Sequence, residues 1–477
     1  MPANQRQLHH RDLDSRLTLP LVGSFLALTV ILGLLSDGAY HDDDLTHFLM
    51  ARWAGWFPEY LLHVWGRPGV TIPLAGVARF SDADLAWHAA RVLSATVTAL
   101  TALLAARLAA RLGMRNAWLV VVACYLQPLN TLLAYTTLTE NFAALYLIAA
   151  VLLSCHDRRI AGSVVFSLAL VSRHEALIFL PIWWLSVLAA KTSVRRKAWA
   201  CLAALWAPML HNIVFRLVLE GWPAAVFLHP HGSTEYPAIS PLGYLPHALL
   251  AVPPVLAGLA LIGGATLTRR GHLLIPALAG LFLMTHFFIK AFGLFASGGY
   301  GRFMVTVTPL VAILAVAGLN TMTQRLRARR PTGPQWLALA LVWPIGLLAF
   351  EIERRAGRIA IQESWAVWLS GLATTVIVAS ILAAWSTSSS STRRRHAARL
   401  PRKITATLLA LTCALQWAYL VRPLSLKEDQ QQIRQVIDWL RDRRLDDSPL
   451  FATNPWFAHF MNLAENPRAH KDGRLLA

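Results

Sequence analysis

The sequence predicts an all-α polytopic membrane protein, and three observations carry that prediction. Of its 477 residues, 56% are hydrophobic and only 14% charged, whereas soluble domains hold about 25% charged residues. Apolar runs recur along most of the chain, many near the roughly 20 residues that a membrane-spanning helix requires. The hydrophilic gaps between the runs alternate in the sign of their charge. The formal net charge of +19 resides in those gaps, and no basic run is interleaved with aromatics as a nucleic-acid face would be. Nucleic acid is therefore excluded as a partner, and the lipid bilayer takes its place. Cys124, Cys155, Cys201 and Cys413 lie in or beside apolar runs without paired spacing, which excludes a disulfide framework or a zinc motif.

In chain order, residues 1–16 are polar, carry Arg6, Arg11 and Arg16, and read as a cytoplasmic N-terminus. The run 17–35 has the length of a span and no A-x-A-like exit, so it predicts a retained first helix rather than a cleaved signal. Further spans follow at 88–110, 116–134, 138–154, 160–173, 176–190, 198–219, 245–267, 272–290, 303–320, 335–351, 366–385 and 404–421, about thirteen in all. The runs 160–173 and 176–190 are short enough to be tilted or partly re-entrant. One alternate set of gaps holds Arg107, Arg111 and Arg115; Arg158 and Arg159; Lys191 and Arg195 to Lys197; Arg269 and Arg270; Arg325 to Arg330; and the run from Arg393 to Lys403. The other set holds Asp37 to Asp44, Glu59, Glu140, Glu175, Glu220, Glu235 and Glu351 to Glu363. Basic gaps face the cytoplasm, which puts the N-terminus inside and the C-terminus outside.

The outer side holds the large pieces. Loop 36–87 opens with HDDD, where Asp42, Asp43 and Asp44 stand at the first turn of a helix with an apolar stripe of Leu45, Phe48, Leu49 and Trp56. That pattern predicts a helix lying along the membrane surface. Acids at a helix start suit its free N–H groups and dipole, which accounts for one or two aspartates but not for three beside His41. Ser81-Asp82-Ala83-Asp84 reads as a capping box before the next span. The 220–244 loop is irregular, and 386–403 is a basic loop facing anionic lipid. Residues 424–477 form a small outer appendage, with a helical stripe at Ile433, Val436, Ile437 and Leu440 and a short strand at 449–453.

Several other groups gather on the same face. Arg173, His174 and Glu175 interrupt two apolar runs, and ionisable residues at membrane depth mark a site or a structural pair. Glu140 opens a span, where capping alone is also an account of it. Lys290 and Arg302 bracket AFGLFASGGYGR, whose glycines and cations suit close approach of a phosphate; helix-end cations on a flexible loop are the alternative. His229 and His231 lack a third ligand and argue against zinc. Acids and cations on one side of a membrane suit displacement of a phosphate leaving group, with a carboxylate taking a proton or holding a divalent cation.

The stretches HDDDLTHF, SRHEALIFLP and GGYGRFMVTVTPL, in that order and on one face, resemble the GT-C superfamily of polyprenyl-phosphate-sugar-dependent glycosyltransferases. The large first outer loop and small C-terminal outer region agree with it. The resemblance implies a GT-C-like bundle over 17–423, with 36–87 as the catalytic loop and 424–477 as an α/β appendage. It also implies transfer of a sugar, a hexose such as mannose, from a polyprenyl-phosphate donor to a glycan, lipid or protein acceptor at the outer face. Asp43 aligns best with the catalytic base and Asp44 with the second acid, although Asp42, Asp43 and Asp44 can be registered in more than one way. Arg173, Arg302 and Lys290 would hold the donor phosphate, with His41, Glu175, His231 and Tyr300 beside the substrate. No metal-ligand set is complete, and a divalent cation is the one cofactor in question. A flippase or transporter of lipid-linked sugars is the alternative, but such chains show matching halves, which are absent here. Alanine- and arginine-rich composition without an Asn-x-Ser/Thr sequon favours a bacterial inner membrane.

Overall fold

The computed structural model describes residues 3–223, 248–249, 251–292, 301–327, 417–418, 421–444 and 454–461, and every regular element among them is helical. The expected spans at 335–351 and 366–385, most of the one at 404–421, the strand at 449–453, His231 and Tyr300 lie outside the described residues. Among the described residues three helices are long and apolar enough to cross a membrane: Arg16–Leu34 within α1 (Ala3–Leu34), Ala83–Arg111 (α4), and Gly301–Gln324, a 3-10 stretch that runs into α14 (Thr308–Arg327). A fourth is added when α10 (Val194–Ala203) and α11 (Trp206–Leu219), bent by 46° at their junction, are taken together. Shorter apolar helices fill the remaining expected spans: α7 (Glu140–Cys155), α8 (Arg159–Ser172), α9 (Phe179–Leu188), α12 (Pro254–Arg269) and α13 (Leu274–Phe292).

The run 116–134 is not one helix. It divides into α5 (Leu119–Tyr125) and α6 (Pro128–Leu133) around an extended Gln127. Proline biases the preceding residue away from the helical region and supplies no N–H. In an apolar setting the freed carbonyls need other donors. Gln127 Nε2 reaches the carbonyl oxygens of Ala123 at 3.0 Å and Thr308 at 3.1 Å, and Thr131 Oγ1 that of Tyr125 at 2.6 Å. Asn130 Nδ2 donates to the Cys124 carbonyl at 3.1 Å, while its Oδ1 accepts from Thr308 Oγ1 at 2.9 Å. The break therefore welds α5 and α6 to the start of α14.

The segment between α1 and α4 folds into α2 (Asp42–Trp53), a 3-10 turn (Pro58–Leu62) and α3 (Pro68–Val77). The expected surface helix is instead a buried one. Leu45, His47, Phe48, Leu49, Met50, Ala51, Arg52 and Trp53 are all buried, so α2 has no free apolar face to lay on a bilayer. Arg52 looks like a solvent residue, but its guanidinium donates to the carbonyl oxygens of Ala78 (3.1 Å), Phe80 (2.5 Å) and Ser81 (2.8 Å). Asp82 then caps α4 by accepting from the Leu85 N–H at 2.7 Å. Within α4, Arg91 donates to the carbonyls of Ser36 (2.5 Å), Gly33 (3.3 Å) and Gly38, and so fixes where the first span ends and the acidic stretch begins.

The C-terminal region returns to this loop. The Gly38 N–H donates to the Leu424 carbonyl at 2.9 Å, the Leu424 N–H to Ser36 Oγ at 2.8 Å, and the Leu426 N–H to Asp37 Oδ1 at 3.2 Å. Beyond lie α15 (Glu428–Asp442) and the short α16 (Pro455–Phe460). Trp456 joins a buried cluster with Phe48, Leu74 and Trp87.

Candidate active site

Three neighbouring carboxylates leave α2 in three directions, as about 100° per residue on a helix requires. Asp42 is exposed, and its Oδ1 accepts from Trp456 Nε1 at 3.1 Å. Asp43 is half-buried and ion-paired with Arg302. Asp44 is fully buried and accepts from the Thr137 N–H (2.6 Å), the Thr137 hydroxyl (2.7 Å) and the Tyr40 N–H (3.3 Å). Burial raises the Asp44 pKa above the usual value, while Arg91 and the Thr137 donors oppose that rise. Asp44 thus locks α2 to the turn that leads into α7.

From Asp43 inward the charges alternate. Arg302, at the start of the 3-10 stretch entering α14, bridges Asp43 and Glu140, with Nε 3.6 Å from Glu140 Oε1. Glu140, the first residue of α7, is fully buried, and Arg173 Nη1 stands 2.6 Å from its Oε1. Its Oε2 accepts no hydrogen bond among the described residues. Arg173 lies over the Phe303 ring at 4.0 Å and donates to Glu175 at 2.9 and 3.3 Å and to Thr139 Oγ1 at 3.2 Å. Glu175 is 3.8 Å from Arg67, which in turn donates to Thr139 Oγ1 at 3.2 Å. The sequence Asp43, Arg302, Glu140, Arg173, Glu175, Arg67 is therefore a chain of six side chains alternating in sign. Arg67 takes a positive φ of 66° immediately before Pro68, a sparsely populated conformation that costs a non-glycine residue about 1–3 kcal/mol. Burial first, and then Arg173, bring its pKa down to about 10 against the pull of Glu175 and Glu140.

Two histidines missing from the sequence argument border this chain. His47 is buried, stacks on Trp65 at 4.4 Å, and its Nδ1 has no hydrogen-bond partner among the described residues. Burial, and then the charges of Arg67, Arg302 and Arg173, hold its pKa well below the ordinary value. Its i+4 spacing from Asp43 puts both on one side of α2, and that was the available signal. His286 of α13 is buried 4.4 Å from Phe282 and 5.4 Å from Phe303, with neither ring nitrogen hydrogen-bonded among the described residues. A lone histidine inside an apolar run was its signal.

Of the expected site residues, the structure brings Asp43, Arg302, Arg173 and Glu175 together and turns Asp42 and Asp44 to other partners. Exposed His41 stands at the start of α2 without a side-chain cap. Partial burial and then Arg302 lower its pKa, opposed by Asp43. Lys290 belongs to α13, and its side chain, like His231 and Tyr300, lies outside what is described. Among the described residues no three His, Cys, Asp or Glu converge. The Arg302 guanidinium bridges Asp43 and Glu140, so these two carboxylates are not arranged to share a cation.

No protein-family model matches the chain, and no curated protein sequence matches it. Among solved structures, ArnT from Cupriavidus metallidurans, bound to undecaprenyl phosphate, superposes with a TM-score of 0.59 at 14% identity over 93% of this chain and 84% of that one. An oligosaccharyltransferase of Archaeoglobus fulgidus, tethered to an acceptor peptide with an NVT sequon, gives a TM-score of 0.47 at 11% identity over 92% of this chain and 63% of that one. Among the described residues the architecture is all-helical, and the likeness to ArnT shows that this chain shares its fold.

Proposed function

We propose that the protein is an integral-membrane glycosyltransferase that moves a sugar, a hexose such as mannose, from a polyprenyl-phosphate donor to an acceptor hydroxyl on the extracytoplasmic face. The observation that carries this reading is the alternating chain from Asp43 to Arg67, gathered where the first outer loop meets α7 and α14. A transferase acting on a phosphate-linked sugar needs a base beside cations that take up the leaving charge. Asp43 is the most exposed acid of the chain and serves as the base; Arg302, with Lys290, holds the donor phosphate. A phosphate competing for Arg302 loosens its hold on Asp43 and frees that carboxylate for the acceptor. The acceptor oxygen then attacks the anomeric carbon, the bond from that carbon to the phosphate oxygen breaks, the hydroxyl proton passes to Asp43, and polyprenyl phosphate departs with the electron pair. Glu140 and Arg173 sit behind Arg302 and fix its orientation, and Asp44 holds α2 in place.

The purified protein is to be incubated with radiolabelled polyprenyl-phosphate hexoses and candidate acceptors. Release of free polyprenyl phosphate, lost on Asp43→Asn, is the expected result. Full release by that variant would sink the assignment of the base, and movement of uncleaved donor across a bilayer would instead mean a flippase.

A further inference from the structure

We infer that the C-terminal region is a working part of the proposed site, with Trp456 a positioning residue that sets the orientation of Asp43 by way of Asp42. The inference rests on the reading of Asp43 as the base. Its starting point is the first turn of α2. His41 supplies no side-chain cap there, and the first N–H groups of a helix have no partner within it. Such a turn frays unless side chains hold it. Two side-chain anchors flank Asp43 in sequence: Asp44, bound to Thr137, and Asp42, bound to Trp456. The first belongs to the helical bundle. The second comes from more than four hundred residues further along the chain, as the separation of 414 between Asp42 and Trp456 records.

The C-terminal region is fastened for that task at four further points. Hydrogen bonds donated by backbone N–H groups join 424–426 to 36–38, and the fit there is close enough that a Cβ on Gly38 would lie 2.2 Å from the Ser425 carbonyl oxygen. Trp456 itself is buried, edge-on to Trp87 at 5.6 Å, and its N–H is the polar end of an otherwise apolar contact. His459 Nε2 sits 3.1 Å from Asp84 Oδ1 in the first turn of α4, and Arg441 of α15 donates to the Phe460 carbonyl at 2.5 Å. Each fastening ends on the loop that carries the aspartates, on the helix that follows it, or within the region itself. An indole N–H held this firmly defines where Asp42 stands, and Asp43 is its neighbour on the same turn.

The test uses the full-length protein in lipid nanodiscs, with Trp456→Phe, Asp42→Ala and the double variant. Trp456→Phe keeps an aromatic ring against Trp87 while removing the donor and part of the indole's volume, and Asp42→Ala removes the same hydrogen bond without touching that packing. Displacing a reacting group by about an ångström is enough to lower turnover a hundredfold, so each single change is expected to cut kcat by about tenfold or more with the donor KM within about twofold. The double variant should fall no further, because both changes remove one interaction. Amide hydrogen exchange over residues 40–46 should quicken in Trp456→Phe while the rest of the bundle exchanges as before. Unchanged exchange over 40–46, or kcat losses that multiply in the double variant, would overturn the inference. Absence of transfer by the wild-type protein would overturn the glycosyltransferase reading alone, since the exchange measurement needs no substrate.

Discussion

Asp42, Asp43 and Asp44 can be separated by what each one loses when its charge is removed. Asp44→Asn leaves one acceptor oxygen where the carboxylate now meets three donors. An unsatisfied buried donor costs about 1–3 kcal/mol, so the variant should melt several degrees lower in detergent. Asp43→Asn breaks only a partly exposed ion pair and should keep the wild-type melting temperature while losing transfer. Equal melting temperatures for the two variants would refute this division of labour. His47 supplies a second test. Its folded pKa lies below the unfolded value, so the unfolded chain binds the proton more tightly. Its contribution to stability is present above about pH 6.5 and is lost as the pH falls below it, by about 1.4 kcal/mol per unit for one group. His47→Gln should flatten the stability curve between pH 6.5 and 5, as read by thermal unfolding. Asp43, Arg302, Arg173 and Glu175 were legible in the sequence because charge is scarce and expensive in so apolar a chain. Which aspartate faces Arg302 was not legible, since that depends on the rotation of α2, set by Thr137 and Trp456 from distant segments. Glu140 reads as a helix cap until Arg173 is seen against it.

At the level of elements, apolar length located the helices and could not say how they pack. Pro128 marks a break in sequence, yet the side chains that make the break tolerable, Gln127, Asn130 and Thr308, are distributed over 181 positions. Likewise α2 reads as a surface helix from its apolar stripe of Leu45, Phe48 and Leu49, although its polar Arg52 is itself buried, with its charge satisfied by three carbonyls. Among the described helices, α12 and α14 approach very closely. A Cβ on Gly263 would lie 1.8 Å from the Leu314 carbonyl oxygen, and one on Gly318 would lie 2.0 Å from that of Leu259. The two glycines face each other's helix backbones, the arrangement by which small residues let membrane helices approach. No side-chain rotation relieves such an overlap, because the atoms met are backbone. Gly263→Ala should therefore force the helices apart and lower the melting temperature by several degrees. Gly264→Ala, next in sequence, where the nearest atom is Pro276 Cβ at 3.7 Å, should leave it nearly unchanged. Similar losses from both would show that the alanines act through something other than the α12–α14 contact.

At the scale of the whole molecule, α4 and α7 carry acids at one end and arginines at or after the other, among the described residues. Asp84 and Glu140 begin α4 and α7, while Arg111 closes α4 and Arg158 and Arg159 follow the end of α7. The 16 residues of α7 separate its ends by about 24 Å at 1.5 Å per residue, so the alternating chain and the arginine-rich end lie on opposite faces of the bundle. Because basic loops are retained on the cytoplasmic side, the proposed orientation has Asp43 outside, where an acceptor beyond the membrane would be met. That orientation is open to direct measurement. In a background with the four native cysteines replaced by serine, exposed Glu59 of the first loop and exposed His156 after α7 are each changed to cysteine. A membrane-impermeant maleimide applied to intact cells should label Glu59→Cys and not His156→Cys, and permeabilised cells should show both. The opposite pattern would put Asp43 and Arg302 in the cytoplasm, where the acceptor and the donor's sugar would have to come from the other side of the bilayer. The labelling thus decides more than topology: it fixes which pool of acceptors the proposed base can reach.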